Sequence, residues 1–129
     1  MKKKYLVVVA DYYEDIAKGL LDSAINLIPK LNLIKIIRVP GVFEIPVTIS
    51  KNIKKYDAFL ALGCVIKGET PHFDFISQAT TCAIMDLSIK TKKPIGNGII
   101  TCLNMTQAEA RKKKGAEATK AVISILSQK

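Results

Sequence analysis

The sequence has few of the residues that hold metal ions or disulfide frameworks. Its 129 residues include one histidine, three cysteines and no tryptophan. The cysteines Cys64, Cys82 and Cys102 are odd in number and stand singly inside apolar segments. This pattern is typical of reduced, buried thiols and argues against a disulfide framework or a zinc site. With one imidazole and no Cys-x-x-Cys spacing, we expect no metal ion.

Long apolar runs are also missing. No segment approaches the roughly 20 apolar residues that a membrane-spanning helix needs, so no membrane partner is expected. The first residues, MKKKYL, lead directly into strand-like sequence and carry no signal-peptide cleavage pattern. No internal repeat, low-complexity tract or linker is visible. We therefore expect a cytoplasmic protein that forms a single domain over residues 1–129, a length that can bury a substantial core.

The charge balance is strongly basic, with a net charge of +9. Such a charge can attract nucleic acid, or it can belong to a solvated lysine surface. The lysines are spread along the chain apart from clusters at residues 2–4 and 111–114, and no aromatic pattern accompanies those clusters as it does in single-strand binders. The solvated surface is the preferred interpretation, and a nucleic-acid-binding module is a distant alternative.

Apolar strands and amphipathic helices alternate four times along the chain. Runs rich in β-branched residues predict strands over residues 5–10, 33–39, 57–66 and 94–101. Apolar residues at helical spacing predict helices over residues 16–28, 43–53, 73–89 and 105–126. This alternation predicts an α/β fold: a flavodoxin-like, three-layer α/β/α architecture in which a four-stranded parallel sheet is flanked by helices.

In such a sheet, ligands bind beyond the carboxyl ends of the strands, where the strand order reverses. The loops that follow the strands are therefore the candidate binding loops. They comprise residues 11–13, 40–44, 67–72 and 101–104. We expect all four to line one pocket.

The third loop has the most specific chemistry. It runs through Gly68 to Thr70-Pro71, where Thr70 can cap a helix and Pro71 suits its first turn. The free N–H groups and the dipole of that helix would favour an anion. His72, the only histidine, follows at once and suggests proton transfer on a phosphorylated substrate. The alternative is a histidine that only packs or caps at the helix start.

The third predicted helix has two apolar stripes. One contains Ile76, Ala79, Ala83 and Leu87, and the other contains Phe75, Cys82, Met85 and Ile89. One stripe can face the sheet, whereas the other requires a partner. The pattern therefore predicts a homo-oligomer.

Three blocks of the sequence resemble those of the lumazine synthase family. They are VPGVFEIP at residues 39–46, ALGCVIKGETPHFD at residues 61–74 and GNGIIT at residues 96–101. The resemblance implies a transferase of riboflavin biosynthesis that condenses 5-amino-6-(D-ribitylamino)uracil with 3,4-dihydroxy-2-butanone 4-phosphate and uses no cofactor. It also implies pentamers, some of which pair into decamers or close into 60-subunit shells, with each site between neighbouring subunits.

The resemblance further implies roles for individual residues. His72 would be the catalytic proton shuttle, and Tyr12 would stack on the uracil ring. The phosphate would be held by Gly68, Glu69, Thr70 and Arg111, with Glu69 acting only through its backbone and Lys114 as a further candidate. The ring and ribityl chain would contact Val42, Phe43, Glu44, Val65, Ile66 and Asn97.

Two departures from the family pattern leave an alternative open. Asn97 stands where many members have phenylalanine, and the connection from Arg111 to Lys114 is shorter than in many members. A divergent paralogue that binds a lumazine or flavin without turnover is therefore the second hypothesis. The short segment before the first strand favours a pentamer or decamer over a shell.

Overall fold

The computed structural model describes residues 2–128, and within them four parallel strands form one sheet. The strands are β1 (Lys4–Ala10), β2 (Leu33–Val39), β3 (Ala58–Ile66) and β4 (Ile95–Cys102). Their order across the sheet is β2-β1-β3-β4. The strand order therefore reverses between β1 and β3, and the loops after these two strands diverge to leave a crevice.

Five helices surround the sheet in the described part of the chain. They are α1 (Glu14–Leu27), α2 (Ile45–Lys51), α3 (His72–Thr91), α4 (Met105–Arg111) and α5 (Gly115–Leu126), and a 3-10 turn at Val42–Glu44 leads into α2. Helices α1, α4 and α5 supply the core on one face of the sheet, and α2 and α3 supply it on the other. The predicted three-layer α/β/α fold is confirmed. Between residues 2 and 128, no helix is both long and apolar enough to cross a lipid bilayer.

Burial of both faces explains the continuous apolar run of β1. Tyr5, Val7 and Val9 point into the core beneath α1 and α5, whereas Leu6 and Val8 point into the core beneath α2 and α3. A strand covered on both sides has no solvent-facing positions, so its sequence lacks polar–apolar alternation. The predicted strand positions agree with the structure to within one residue at each end.

The prediction of one continuous helix over residues 105–126 is wrong. Lys112 and Lys114 have ψ angles of −6° and −4°, far from the value of about −42° in an α-helix. The chain turns there because α5 must lie against α1. A Cβ atom at Gly115 would collide with the backbone oxygen of Leu20 and approach the Ser23 hydroxyl to 2.8 Å. No residue type in the lysine run marks this turn in the sequence.

Helix α5 also lies directly on β4, at two glycines that alternate with Asn97. A Cβ atom at Gly96 would contact the backbone oxygen of Ala118 and lie 2.8 Å from Cδ2 of Leu60. A Cβ atom at Gly98 would lie 3.3 Å from the Ala118 Cβ. Because side chains alternate along a strand, Asn97 faces away from α5. Close packing against α5 therefore explains the two glycines of the Gly-Asn-Gly sequence.

The substitution Gly96→Ala tests this close approach. The added methyl group meets backbone of α5, which cannot move without displacing the helix, so we expect a loss of about 1–3 kcal/mol in the free energy of unfolding. Urea denaturation followed by circular dichroism measures it. Gly68→Ala is the matched control, because a Cβ atom there has no neighbour within 4 Å among residues 2–128. Equal stability of the two variants would contradict the packing explanation.

Candidate active site

A cavity of about 660 Å³ lies at the crevice between the carboxyl ends of β1 and β3. The loops after β1 and β2 contribute to it, and the third predicted loop, residues 67–72, contributes only His72, the first residue of α3. Its lining residues are Tyr12, Tyr13, Gly41, Val42, Phe43, Glu44, Cys64, Val65, Ile66, His72 and Ile76. The structure therefore brings His72 together with six of the seven residues predicted to contact the uracil and ribityl groups; the exception is Asn97.

Two tyrosines form the wall contributed by the loop after β1. The Tyr13 ring packs against the core beneath α1, and burial, followed by the neighbouring Tyr12 phenol, raises its pKa above the ordinary value. The two rings meet edge to face, with centroids 4.9 Å apart and planes at 84°. Tyr12 itself is 74% exposed. Its ring is thus supported at one side by Tyr13 and can offer a face to a flat ligand.

Another wall of the cavity is the 3-10 turn at Val42–Glu44, and Gly63 sets its position. A Cβ atom at Gly63 would lie 2.7 Å from Cγ1 of Val42 and 3.1 Å from the Ala10 Cβ. Val42 is buried against β3, which leaves Phe43 exposed at the rim. The Glu44 carbonyl accepts a hydrogen bond from the Thr48 hydroxyl at 2.8 Å. The absence of a side chain at Gly63 therefore allows this wall to lie close to β3.

The floor of the cavity is apolar. Val65 and Ile66 are partly buried and pack against opposite faces of the core. Cys64 is only 8% exposed, and burial, followed by its neighbour Cys102, raises the pKa of the Cys64 thiol to about 12. A thiol with this pKa is protonated at neutral pH, and the thiolate is the nucleophilic form. Cys64 therefore acts as an apolar wall and not as a nucleophile.

His72 is the first residue of α3 and borders the cavity from an exposed position. Helix α3 begins one residue before the predicted range of 73–89, and Pro71 precedes the helix instead of lying within its first turn. The His72 N–H donates to the Thr70 hydroxyl oxygen at 3.4 Å, a long hydrogen bond. Ile76, one helical turn further on, lines the same cavity.

The loop at Gly68, Glu69 and Thr70 is exposed and does not line the cavity, although it leads directly to His72. Within residues 2–128, the N–H groups of these three residues make no hydrogen bond to the protein. They remain free to donate to an anion at the start of α3.

The expectation that all four loops line one pocket is wrong. Asn97, Thr101, Arg111 and Lys114 border a separate cavity of about 420 Å³, which Glu117 also lines. This cavity follows the free edge of β4. Because β4 is the outermost strand, it is two strand spacings, or roughly 10 Å, from β1. In one chain, Arg111 and His72 therefore belong to different cavities.

The polar side chains of the second cavity differ in their ion pairs and hydrogen bonds. The Lys114 ammonium lies 3.6 Å from the Glu117 carboxylate, and both side chains are largely exposed. The Asn97 side-chain oxygen accepts from the Ile99 N–H at 3.0 Å. Arg111 Nη1 donates to the Gln107 side-chain oxygen at 3.3 Å and to the Cys102 sulfur at 3.9 Å. Arg111 is thus held in place without a carboxylate partner among the described residues.

Residues 2–129 match the family model described as 6,7-dimethyl-8-ribityllumazine synthase. The chain belongs to this family. Proteins named 6,7-dimethyl-8-ribityllumazine synthase are similar to it in several bacteria. The protein of Cutibacterium acnes is 40% identical over 96% of this chain and 80% of its own length. The protein of Methylorubrum populi is 42% identical over 98% of this chain and 82% of its own length. The protein of Renibacterium salmoninarum is 36% identical over 92% of this chain and 84% of its own length.

Four residues that line the His72 cavity were not among the predicted site residues: Tyr13, Gly41, Cys64 and Ile76. Two of these residues, Cys64 and Ile76, could have been predicted from their spacing to predicted site residues. Cys64 is two residues before Ile66 on the same strand and so points to the same face, and Ile76 is four residues after His72 on a helix. Tyr13 could be identified only as the neighbour of Tyr12. Within residues 2–128, no cluster of three or more His, Cys, Asp or Glu side chains could hold a metal ion.

Alkylation tests the state of the Cys64 thiol. A rise in pKa from 9.0 to about 12 lowers the thiolate fraction near pH 8 by roughly a thousandfold. We therefore expect iodoacetamide at pH 8 to leave Cys64 unmodified in the folded protein, and to label it after denaturation, as measured by peptide mass spectrometry. Raising the pH from 8 to 10 should speed labelling, because deprotonation increases. Rapid labelling of Cys64 at pH 7 in the folded protein would contradict this prediction.

Proposed function

We propose that this protein catalyses the condensation of 5-amino-6-(D-ribitylamino)uracil with 3,4-dihydroxy-2-butanone 4-phosphate, which yields 6,7-dimethyl-8-ribityllumazine, phosphate and water. The observation that carries the proposal is the cavity of a lumazine synthase family member that is lined by His72, by the exposed ring of Tyr12 and by an apolar floor. A cavity of this size is within the range of small-molecule sites.

The primary amine of the uracil attacks the ketone, and a Schiff base forms with loss of water. The carbon between the imine carbon and the phosphate-bearing carbon then loses a proton as phosphate leaves, and the resulting enol tautomerises to a ketone at that middle carbon. The ribityl-bearing nitrogen attacks this ketone and closes the ring with loss of a second water. His72 transfers protons in these steps, because an imidazole both accepts and donates near neutral pH. The other contribution is the alignment of two substrates in one cavity. This chemistry requires no cofactor and no metal ion.

The two substrates have different binding groups. The flat uracil stacks on Tyr12, whose ring is supported by Tyr13. The ribityl hydroxyls meet the backbone of Val42 and Phe43 and the carboxylate of Glu44, an acceptor for hydroxyl donors. The phosphate is bound by the free N–H groups of residues 68–70 and by the Thr70 hydroxyl, beside His72.

Arg111 completes the phosphate site from a second copy of the chain. Its cavity on the free edge of β4 is separate from the His72 cavity in one chain, so another copy must bring the two together. A surface for that copy is present, because the second apolar stripe of α3 is exposed: Phe75 is 68%, Met85 56% and Ile89 65% accessible. We infer a homopentamer or a decamer, located in the cytoplasm, where thiols such as Cys82 stay reduced.

A paralogue that binds a lumazine or flavin without turnover is the second candidate. It is favoured by the second cavity, where Lys114 is paired with Glu117 and Asn97 offers no aromatic face. Tight binding of the product without steady-state turnover would distinguish this function from catalysis.

Purified protein supplied with both substrates should form the lumazine, as measured by its absorbance and fluorescence. His72→Ala should lower kcat by about 100-fold or more, because proton transfer by a positioned side chain contributes roughly that factor. Asp74→Asn is the control, since Asp74 is exposed on the same helical turn but does not line the cavity; it should change the rate by less than about twofold. If lumazine forms no faster than in the uncatalysed reaction, the proposed function is wrong. If His72→Ala is fully active, only the proton-transfer role of His72 is wrong.

Mixed assemblies test whether the site is shared between copies. His72→Ala and Arg111→Ala are each expected to be impaired. When equal amounts are unfolded together and reassembled, about one quarter of the sites should combine an intact His72 with an intact Arg111 from a neighbour. Activity should rise towards that fraction of wild type. If the mixture shows only the average of the two variants treated separately, both residues act within one chain.

A further inference from the structure

Gln107 holds the Arg111 guanidinium through one oxygen atom. Gln107 Oε1 accepts from the Leu103 N–H at 2.8 Å and from Arg111 Nη1 at 3.3 Å. Both partners are obligate donors, so the atom that faces them must be the oxygen of the amide and not its nitrogen. The orientation of the Gln107 side chain is therefore fixed by its partners.

The helix that carries Gln107 is itself fixed at its start. The Asn104 side-chain oxygen accepts from the Gln107 N–H at 2.9 Å and so caps α4. The Leu103 N–H belongs to the segment between β4 and this cap. Gln107 thus joins three elements: the end of β4, the first turn of α4 and, one turn later, the guanidinium of Arg111.

The chemistry of the acceptor matters for a cationic group that binds an anion. A neutral amide oxygen restricts the rotamers of the guanidinium and accepts from one of the five N–H donors of that group. The full positive charge of the guanidinium remains available to a phosphate. A carboxylate at the same position would orient the guanidinium equally well. It would also neutralise the guanidinium and compete with the phosphate for it.

We propose that Gln107 is a positioning residue for phosphate binding, which holds Arg111 in a phosphate-binding rotamer and leaves its charge uncompensated. This inference rests on the proposed function in one respect, since it takes Arg111 to be a phosphate ligand. It adds that the amide of Gln107, and not just any hydrogen-bond acceptor at that position, determines the affinity for the phosphorylated substrate.

Two substitutions separate this role from a merely structural one. Gln107→Met keeps the length of the side chain and removes the acceptor. Gln107→Glu keeps the acceptor and adds a charge. A structural role predicts that the glutamate variant behaves like wild type, because it can still bind the Leu103 N–H and Arg111. Positioning without neutralisation predicts that both variants lose phosphate affinity.

The experiment measures two quantities on the assembled full-length protein. One is the KM of each substrate, and the other is the Kd of inorganic phosphate, obtained by calorimetry without turnover. We expect Gln107→Met to raise the phosphate Kd and the KM of the phosphorylated substrate by about 2- to 10-fold, as the loss of one hydrogen bond does. Gln107→Glu should raise them at least as much. The KM of the uracil substrate should change by less than about twofold in both.

Thr106→Glu is the matched control, because it adds the same charge to the exposed side of the same helix turn. Thr106→Glu should leave the KM values and the phosphate Kd near those of wild type. Arg111→Met shows how much phosphate affinity is lost when the guanidinium is removed. A wild-type phosphate Kd in Gln107→Glu or in Arg111→Met overturns the inference, as does an equal rise in both KM values. If the wild-type protein forms no lumazine, the proposed function fails, while the phosphate Kd series still decides the role of Gln107.

Discussion

Parallel pairing of β1 with both β2 and β3 is the constraint on which the rest of the structure depends. A parallel pair requires a crossover connection, so each strand must be followed by a helix that returns along the sheet. All four strands therefore end at the same edge. Because β1 lies between β2 and β3, the loops after β1 and β3 turn to opposite faces and leave the crevice that contains His72. The position of the cavity follows from strand order before any catalytic residue is considered.

Close contact between the layers then fixes the functional segments. The missing side chain of Gly63 lets Val42 lie against β3, so the turn at Val42–Glu44 forms a wall of the cavity. On the other face, Gly96 and Gly115 allow α5 to touch β4 and α1. This contact forces the turn at residues 112–114, which separates α4 from α5. As a result, Arg111 ends a short helix beside the free edge of β4.

The local pattern of apolar residues was sufficient to predict the fold and the part of the candidate site that contains His72. The strands could be predicted because buried parallel strands are continuous apolar runs, and the loops after β1, β2 and β3 meet because their strands are adjacent in the sheet. The break before Gly115 could not be predicted, because its cause is the Leu20 backbone, which is nearly a hundred residues away in sequence. The resemblance implied that Arg111 binds the phosphate in a site between subunits, but the sequence alone could not show which cavity of a single chain Arg111 borders. Whether a side chain reaches a neighbouring loop or a neighbouring subunit depends on tertiary packing.

The separation of the two cavities has an electrostatic consequence in the proposed assembly. In a single chain, the His72 cavity is open and its rim is formed by the exposed rings of Tyr12 and Phe43. A phosphate bound there would be hydrated, and in water its attraction to a guanidinium about 4 Å away is worth only about 1 kcal/mol. Docking of a second copy would cover the rim, exclude water and bring Arg111 to the phosphate at the same time. Both changes strengthen the same interaction, because the effective dielectric constant falls as the opposite charge arrives. Assembly would then be part of the catalytic apparatus, and the exposed apolar stripe of α3 would serve function as well as subunit association.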